Sequence, residues 1–314
     1  MSQVFYIDFS ADNSVRMAVA PPRERPPAPF ICICTSLEDL DREIGGFLTA
    51  QGEPDLMGAA LSICGWERDG VFEMPNHSYS IERDWIRTRL NISRVHLVND
   101  IVAAALAIDL LDASELTPIC VGRPDPSQPK ALVALGRSLG MTTLVADEFG
   151  AAVALPCAGG HCDLPATTAR EFSVVGYLAE KFGHVSRVRA LSTPGLIDVH
   201  DALHVADGQA APGLSAREIV AQARAGAPYA VEAVRMVLGW LAATAADTVL
   251  SSGARGGVFL AGSFFTLVGD LFDPEAFVAR FTDKGRLREM LRATPIAIVT
   301  AAEPEMIGLS TLFN

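Results

Sequence analysis

Apolar strand-like runs separated by single crossover helices predict an α/β fold, and the return of that plan in the second half of the chain predicts that it occurs twice. At 314 residues, with 50% of them apolar and 20% charged, the chain is long enough for two domains or one large one and can bury a substantial core. No short sequence repeat accompanies the recurrence, so the duplication rests on element order alone.

Val4 to Phe9 and Val15 to Val19 read as two strands joined by the polar link Ser10 to Ser14, a hairpin with a loaded turn. The Pro-rich stretch from Pro21 to Pro29 is unfit for helix or central strand, and a further strand, Phe30 to Cys34, follows it. Ser36 is placed to cap a helix that turns Leu37, Leu40, Ile44 and Phe47 inward, with acids in its first turns and Gly45-Gly46 weakening its end. Met57 to Ile63 reads as a buried strand and Glu67 to Gly70 as a turn region. Val95 to Asp100 reads as a strand that runs into an Ala-rich helical stretch from Ile101 to Leu111. Pro and polar residues make Gly122 to Lys130 a loop, and three strands follow: Ala131 to Leu135, Met141 to Asp147 and Ala151 to Leu155. The remainder is mainly helical until strands at Gly257 to Gly262 and Pro295 to Thr300. Within it, Val231 to Leu250 is the most membrane-like segment, but it carries Glu232, Arg235 and Asp247. Its Val231, Val234, Leu238, Leu241, Ala245 and Val249 recur at spacings of three and four, as one buried face of a core helix demands.

A net charge of −12 and a pI near 4.9 spread acidic surface over most of the molecule. No basic patch interrupts it, which disfavours nucleic acid and anionic membrane surfaces as partners. The N-terminal residues lack a basic segment followed by a long apolar run, so no secretory signal is expected. Six cysteines, mostly in apolar runs, suit reduced thiols in a soluble, cytoplasmic protein. Cys157, His161 and Cys162 form the only cluster of metal-ligand type, and without a fourth ligand nearby they are read as thiols of the core; no metal site is assigned.

The residue with the clearest chemical potential is Asp100, which closes the apolar run Val95-His96-Leu97-Val98-Asn99 at the entrance to a helix. A carboxylate there is a candidate general base, and Asp is also a favoured helix N-cap; the two roles can coexist.

Ordered, multi-residue landmarks run along nearly the whole chain: Asp8 to Asn13, Met74 to Tyr79, Val98-Asn99-Asp100, Leu155 to Asp163, Phe182 to Ser186, Leu191 to Leu196, Gly256 to Gly262 and Asp283 to Arg286. In these the chain resembles the bacterial glucokinase family, ATP-dependent sugar kinases of the actin-like, ribonuclease-H-like superfamily. The resemblance implies a two-domain actin-like ATPase fold with sugar and ATP meeting in an interdomain cleft. A small domain would span residues 1-105, completed by the C-terminal helix 301-314, and a large domain residues 106-300. It further implies transfer of the ATP γ-phosphate, with Mg²⁺ carried by ATP, to a hexose 6-hydroxyl. Asp100 matches the base, and Asn76, Asn99 and His161 match sugar-contacting positions. Asp8 and Asn13 match the first phosphate hairpin, Gly136 and Gly140 the second, and Gly262 the segment under the adenosine. A sugar is the implied partner, and a homodimer the implied assembly.

The departures from the family pattern are chemically specific. The first phosphate loop has the form Asp-x-Gly-Gly-Thr-Asn, where this chain reads Asp8-Phe9-Ser10-Ala11-Asp12-Asn13. An acid in place of the threonine sets like charges together, which at about 4 Å costs on the order of 1 to 4 kcal/mol. That is enough to weaken ATP binding ~10-fold or more. The second loop keeps Gly136 and Gly140 and gains Arg137, whose fork suits phosphate oxygens but which is more often simply solvated. Ala158 and Val188 stand where the family has two glutamates that accept sugar hydroxyls, and Ser263 where a further glycine is usual. The expectation is a hexose kinase impaired or changed in substrate; the alternative is a kinase-fold protein without catalysis that binds a metabolite or a protein partner.

Overall fold

The computed structural model describes residues 2–313 and divides into two compact units. One comprises the residues up to Asp112 together with those from Ala301 onward, the other Ala113–Thr300.

The first unit begins with the expected hairpin, β1 (Gln3–Ala11) and β2 (Ser14–Ala20), followed by β3 (Phe30–Ile33), α1 (Leu37–Ala50) and β4 (Leu56–Ile63). Ser36 caps α1 through a 3.1 Å bond from the Asp39 amide to its Oγ, a contact of the kind worth ~1 kcal/mol. The helix does not weaken at Gly45-Gly46 but runs on to Ala50, because Leu40, Ile44 and Phe47 bury its apolar face and tertiary packing outweighs glycine's propensity. The segment read as a turn at Glu67 to Gly70 is a hairpin: β5 (Trp66–Arg68) and β6 (Val71–Glu73) flank Asp69-Gly70, both at positive φ, and β7 (Ile81–Glu82) completes a small sheet. Next come α2 (Arg83–Leu90), missed in the sequence, β8 (Val95–Asn99) and α3 (Asp100–Leu106). The last is shorter than the expected stretch to Leu111, since Ile108–Leu110 tightens into a 3-10 turn.

The main sheet has the order β3-β2-β1-β4-β8, antiparallel through β3, β2 and β1 and parallel from β1 to β8. Its central strand is covered on both faces, and the two-residue period assigns each residue to one of them. Phe5, Ile7 and Phe9 pack with α1 and α2, whereas Val4 and Tyr6 pack with Ala103 of α3 and with Met306 and Leu309 of the C-terminal helix Pro304–Leu309. Gly308 lets those two helices touch: a Cβ there would stand 1.7 Å from the Ala103 carbonyl oxygen. Gly308→Ala is therefore expected to cost about 3 kcal/mol or more by forcing the helices apart. The check is a denaturation midpoint that falls while the denaturant dependence stays constant.

The second unit carries β9 (Leu116–Cys120), β10 (Lys130–Leu135), β11 (Leu139–Ala146), β12 (Ala152–Cys157), α4 (Ala169–Phe182), α5 (Arg187–Ala190) and α6 (Thr193–Ala206). It continues with α7 (Ala216–Arg224), α8 (Pro228–Ser252), β13 (Gly257–Ala261), α9 (Ser263–Val268), α10 (Pro274–Phe281), α11 (Arg288–Arg292) and β14 (Ile296–Val299). Its sheet runs β12-β11-β10-β13-β14-β9. The first five strands repeat the plan of the first unit, three antiparallel and then two parallel, with β9 added antiparallel at the β14 edge. The duplication invisible as a sequence repeat is thus present as topology.

α8 corrects one expectation. It is buried nearly all round rather than along one face: Trp240, Ala242 and Thr244 are as inaccessible as Leu241 and Ala245, with α6, α7 and α10 against it. Among the described residues it is the one helix long and apolar enough to cross a membrane, and 72% of that window is buried inside the protein. The Trp240 indole N–H donates to the Pro165 carbonyl at 2.8 Å, so even its polar atom is satisfied in the core.

Candidate active site

In the first unit the pleat that buries Val4 and Tyr6 places Asp8 on the same face, and the ladder sets Arg16 of β2 and Ser62 of β4 directly beside it. The result is a row Arg16–Asp8–Ser62 across three strands. One Asp8 carboxylate oxygen accepts the Ser10 amide (3.1 Å) and the Ser62 hydroxyl. The other accepts the Ser10 hydroxyl and Arg16 Nη1, each at 2.7 Å. Asp8 is wholly buried, and a buried charge of this kind requires such saturation. Arg16 turns its Nε to Glu303, 2.8 Å away, and the carboxylates of Asp8, Glu303 and Glu305 lie within 4.8 Å of one another. Burial, then the charges of Asp8 and Asp100, holds the Glu305 carboxyl well above the ordinary range. Burial opposes charge on Arg16, but Asp8 and Glu303 outweigh it and keep the guanidinium firmly protonated.

Asp100 is the first residue of α3, and the cap belongs to its neighbour: Asn99 Oδ1 accepts the Ile101 amide at 3.1 Å. The Asp100 carboxylate takes the same amide at 2.8 Å and a thiol hydrogen bond from Cys64. Burial pushes it up to about 6; the Ile101 amide pulls the other way, and the like charge of Asp8 adds to the rise. Asn99 directs its amide group to the carbonyls of Ile63 (3.3 Å) and Gly65 (3.1 Å), tying the end of β8 to the end of β4.

The tip of the first hairpin closes without glycine. Asn13 takes the left-handed conformation, φ 49°, which asparagine tolerates better than most residues, and the strand register shifts between Asp8 and Ala11. Asn76 braces the tip, donating its side-chain amide to the Phe9 carbonyl (2.8 Å) while its backbone carbonyl accepts the Asn13 amide (3.2 Å). His77 approaches the same Phe9 carbonyl at 3.1 Å, and burial holds its imidazole below the usual range. The Oδ1 atoms of Asn13 and Asn76 are buried and have no partner among the described residues. Asp12 lies exposed at the tip.

In the second unit Gly136 lies in the turn between β10 and β11, its carbonyl accepting the Thr193 amide (2.7 Å) and hydroxyl (3.1 Å) from the start of α6. Gly140, expected in the same loop, is a strand residue of β11 facing Ala134; the turn closes in three residues and the ladder resumes at Leu139. Gly262 precedes α9 at φ 103°, and a Cβ there would meet the Leu135 carbonyl oxygen at 2.3 Å. Only glycine fits. Ser263 beside it would touch a Cβ on Gly136 at 3.2 Å, so Gly136 and the Gly262 turn adjoin. His161 ends a 3-10 turn, exposed, with its amide bonded to the Ala158 carbonyl at 2.9 Å. Val188 is partly buried against the core of this unit, and Arg137 is exposed. Among the described residues Cys157, His161 and Cys162 form no three-ligand group; Cys157 and Cys162 are exposed rather than core thiols, the first at the end of the edge strand β12 and the second just after the 3-10 turn.

Arg16, Ser62, Glu303 and Glu305 were missed in the sequence. The signal available was positional: residues paired with Asp8 in the ladder share its face, but the register of β2 and β4 is known only from the fold.

With this geometry in hand, comparison with known proteins is decisive: the glucokinase family model matches residues 25–314. The chain belongs to the glucokinase family. Glucokinase of Aromatoleum aromaticum is 37% identical over 257 residues, 82% of this chain and 77% of that protein. Glucokinase of Chromobacterium violaceum is 33% identical over 276 residues, 88% and 78% of the two chains. Among solved structures, glucokinase from an Antarctic psychrotroph superposes with a TM-score of 0.89 at 22% identity, covering 100% of this chain and 99% of that one. Glucokinase from Balamuthia mandrillaris in complex with glucose gives 0.79 at 19% identity, covering 99% and 92%. A ROK family glucokinase from Streptomyces griseus in complex with glucose and AMPPNP gives 0.58 at 17%, covering 99% of each chain. The fold is the actin-like ATPase fold, as the sequence resemblance implied.

Proposed function

We propose that this member of the glucokinase family transfers the γ-phosphoryl group of ATP to the 6-hydroxyl of a hexose, with Asp100 as general base. The single observation that carries the proposal is the state of Asp100: a partly buried carboxylate at a helix start whose proton affinity burial has raised to about 6. A base with that affinity is ionised at neutral pH yet basic enough to take a hydroxyl proton as transfer proceeds. Asn76, Asn99 and His161 are the positions assigned to the sugar, and of these Asn76 offers a buried Oδ1 acceptor without a partner among the described residues.

Asp8, Asn13, Gly136, Gly140 and Gly262 are the positions assigned to the nucleotide. The Asp8, Glu303 and Glu305 cluster is a poor holder of Mg²⁺: Asp8 already accepts from Ser10, Ser62 and Arg16, Glu303 is paired with Arg16, and burial holds the Glu305 carboxyl above its ordinary range, so the ion would come with the nucleotide. Mg²⁺ bound with ATP would neutralise the phosphate oxygens.

The test is a screen of hexoses and aminosugars with Mg-ATP, reading ADP release against an Asp100→Asn control. Turnover above the control supports the proposal, and none across the panel overturns it. The rate should also fall as pH drops through about 6, where Asp100 gains its proton and ceases to be a base. An acid limb lying near the usual carboxylate value, about 4, would count against Asp100.

A second reading, a kinase-fold protein that binds a metabolite without transferring phosphate, is favoured by the saturation of Asp8, whose oxygens already accept from Ser10, Ser62 and Arg16. Calorimetry separates the two, since that reading requires no Mg-ATP binding at millimolar concentration.

A further inference from the structure

A pair of thiols that the proposed reaction leaves unused stands at the end of β3, where burial pushes the Cys32 thiol above its ordinary range and the Cys34 thiol up to about 12. Cys32 and Cys34 are free, and alternate residues of an extended chain share a face, so the two thiols converge to 3.7 Å between sulfurs. Cys32 is half-buried on the edge strand of the sheet, paired with Val15 and 3.7 Å from its carbonyl oxygen; Cys34 behind it is wholly buried. The hydroxyl of Tyr79, buried and without a partner among the described residues, is close enough to feel either thiolate.

The spacing is informative. A disulfide needs its sulfurs at ~2.05 Å, so oxidation would have to draw the strand end inward. Two sulfurs held at ~2.3 Å by one pyramidal centre, with an angle of about 100° between them, stand ~3.5 Å apart, a few tenths of an ångström from the separation already present. Among the described residues no His, Cys or carboxylate completes a three-ligand group with the pair, so a metal seeking four protein ligands is poorly served. A trivalent arsenical brings its own third substituent and asks for two thiols only.

We propose that Cys32 and Cys34 form a dithiol site that captures one trivalent arsenical across both sulfurs. With phenylarsine oxide the two S–H bonds and the arsenic–oxygen bond break, two As–S bonds form, and the protons leave with the oxygen as water. No oxidant is needed. The adduct sits against the hairpin tip, because the Cys34 amide is bonded to the Asn13 carbonyl at 2.8 Å.

The experiment is intact-protein mass spectrometry after one equivalent of phenylarsine oxide, with peptide mapping of the adduct. The expected result is one phenylarsenic group on the peptide holding Cys32 and Cys34, released by a small dithiol. It should be lost in Cys32→Ser and kept in the Cys157→Ser/Cys162→Ser double variant. No adduct on the natural chain, or an adduct mapped to Cys157 and Cys162, overturns the proposal. Mapping on the natural chain decides the matter even where a serine variant folds poorly, and the readout is independent of kinase activity.

Discussion

Asp100→Asn is expected to lower the turnover of hexose phosphorylation by about 10²–10⁴-fold, the usual contribution of a positioned general base. The substitution is nearly isosteric, and an amide oxygen can still accept the Ile101 amide that Asp100 holds at 2.8 Å, so the start of α3 should survive. Stability should move in the opposite direction from activity. Burial raises the proton affinity of Asp100 to about 6, so above that pH the folded chain carries a carboxylate that it holds less favourably than the unfolded chain does. Sign and window follow: a raised carboxyl disfavours the folded state above pH 6, and the penalty fades as pH falls toward the ordinary carboxylate value. The neutral variant should therefore melt no lower than the natural protein at pH 8, and its advantage should shrink at pH 5. Loss of turnover together with a lowered melting temperature at pH 8 would point to structural damage instead.

Arg16→Met is expected to be the most damaging single change to stability, about 3–5 kcal/mol, because it strands a buried carboxylate. Asp8 is wholly inaccessible, and Arg16 is its only cationic partner among the contacts described above. Glu303 loses its counter-charge in the same step. Adding Asp8→Asn removes the stranded charge, so the double variant should recover much of the loss, and the cycle should show a coupling well above 1 kcal/mol. Chemical denaturation of the four proteins measures it; additive effects would show that the row across β2, β1 and β4 is electrostatically idle.

How much of this was legible beforehand can be followed residue by residue. Asp8, Asn13, Asn76, Asn99 and Asp100 all stand out in sequence, since each sits in a short motif next to an apolar run. Their surroundings do not. Glu303 and Glu305 belong to the last residues of the chain, and only the packing of the C-terminal helix on α3 carries them to Asp8 and Asp100. The loss of glycines at Ser10 and Ala11 read as damage to a turn. In the structure Asn13 supplies the positive φ and the Ser10 hydroxyl becomes a ligand of Asp8, so the tip is rebuilt from other residues. The Glu67 to Gly70 segment went the other way: Asp69-Gly70 was rightly seen as a turn, but flanking strands of three residues each are too short for a pattern to announce themselves.

By itself the sequence determined the α/β class, the family and most element positions, and it singled out the carboxylate proposed above as the base. These follow from local properties, hydrophobic period, turn residues and short motifs, which the chain carries wherever it is placed. The tertiary structure alone decided that Asp8 faces Arg16 and Ser62, that Asp100 is buried enough to hold a proton near pH 6, and that two thiols converge at the end of β3. Each of these depends on strand register or on burial, and both arise only when segments distant in the chain are packed against one another.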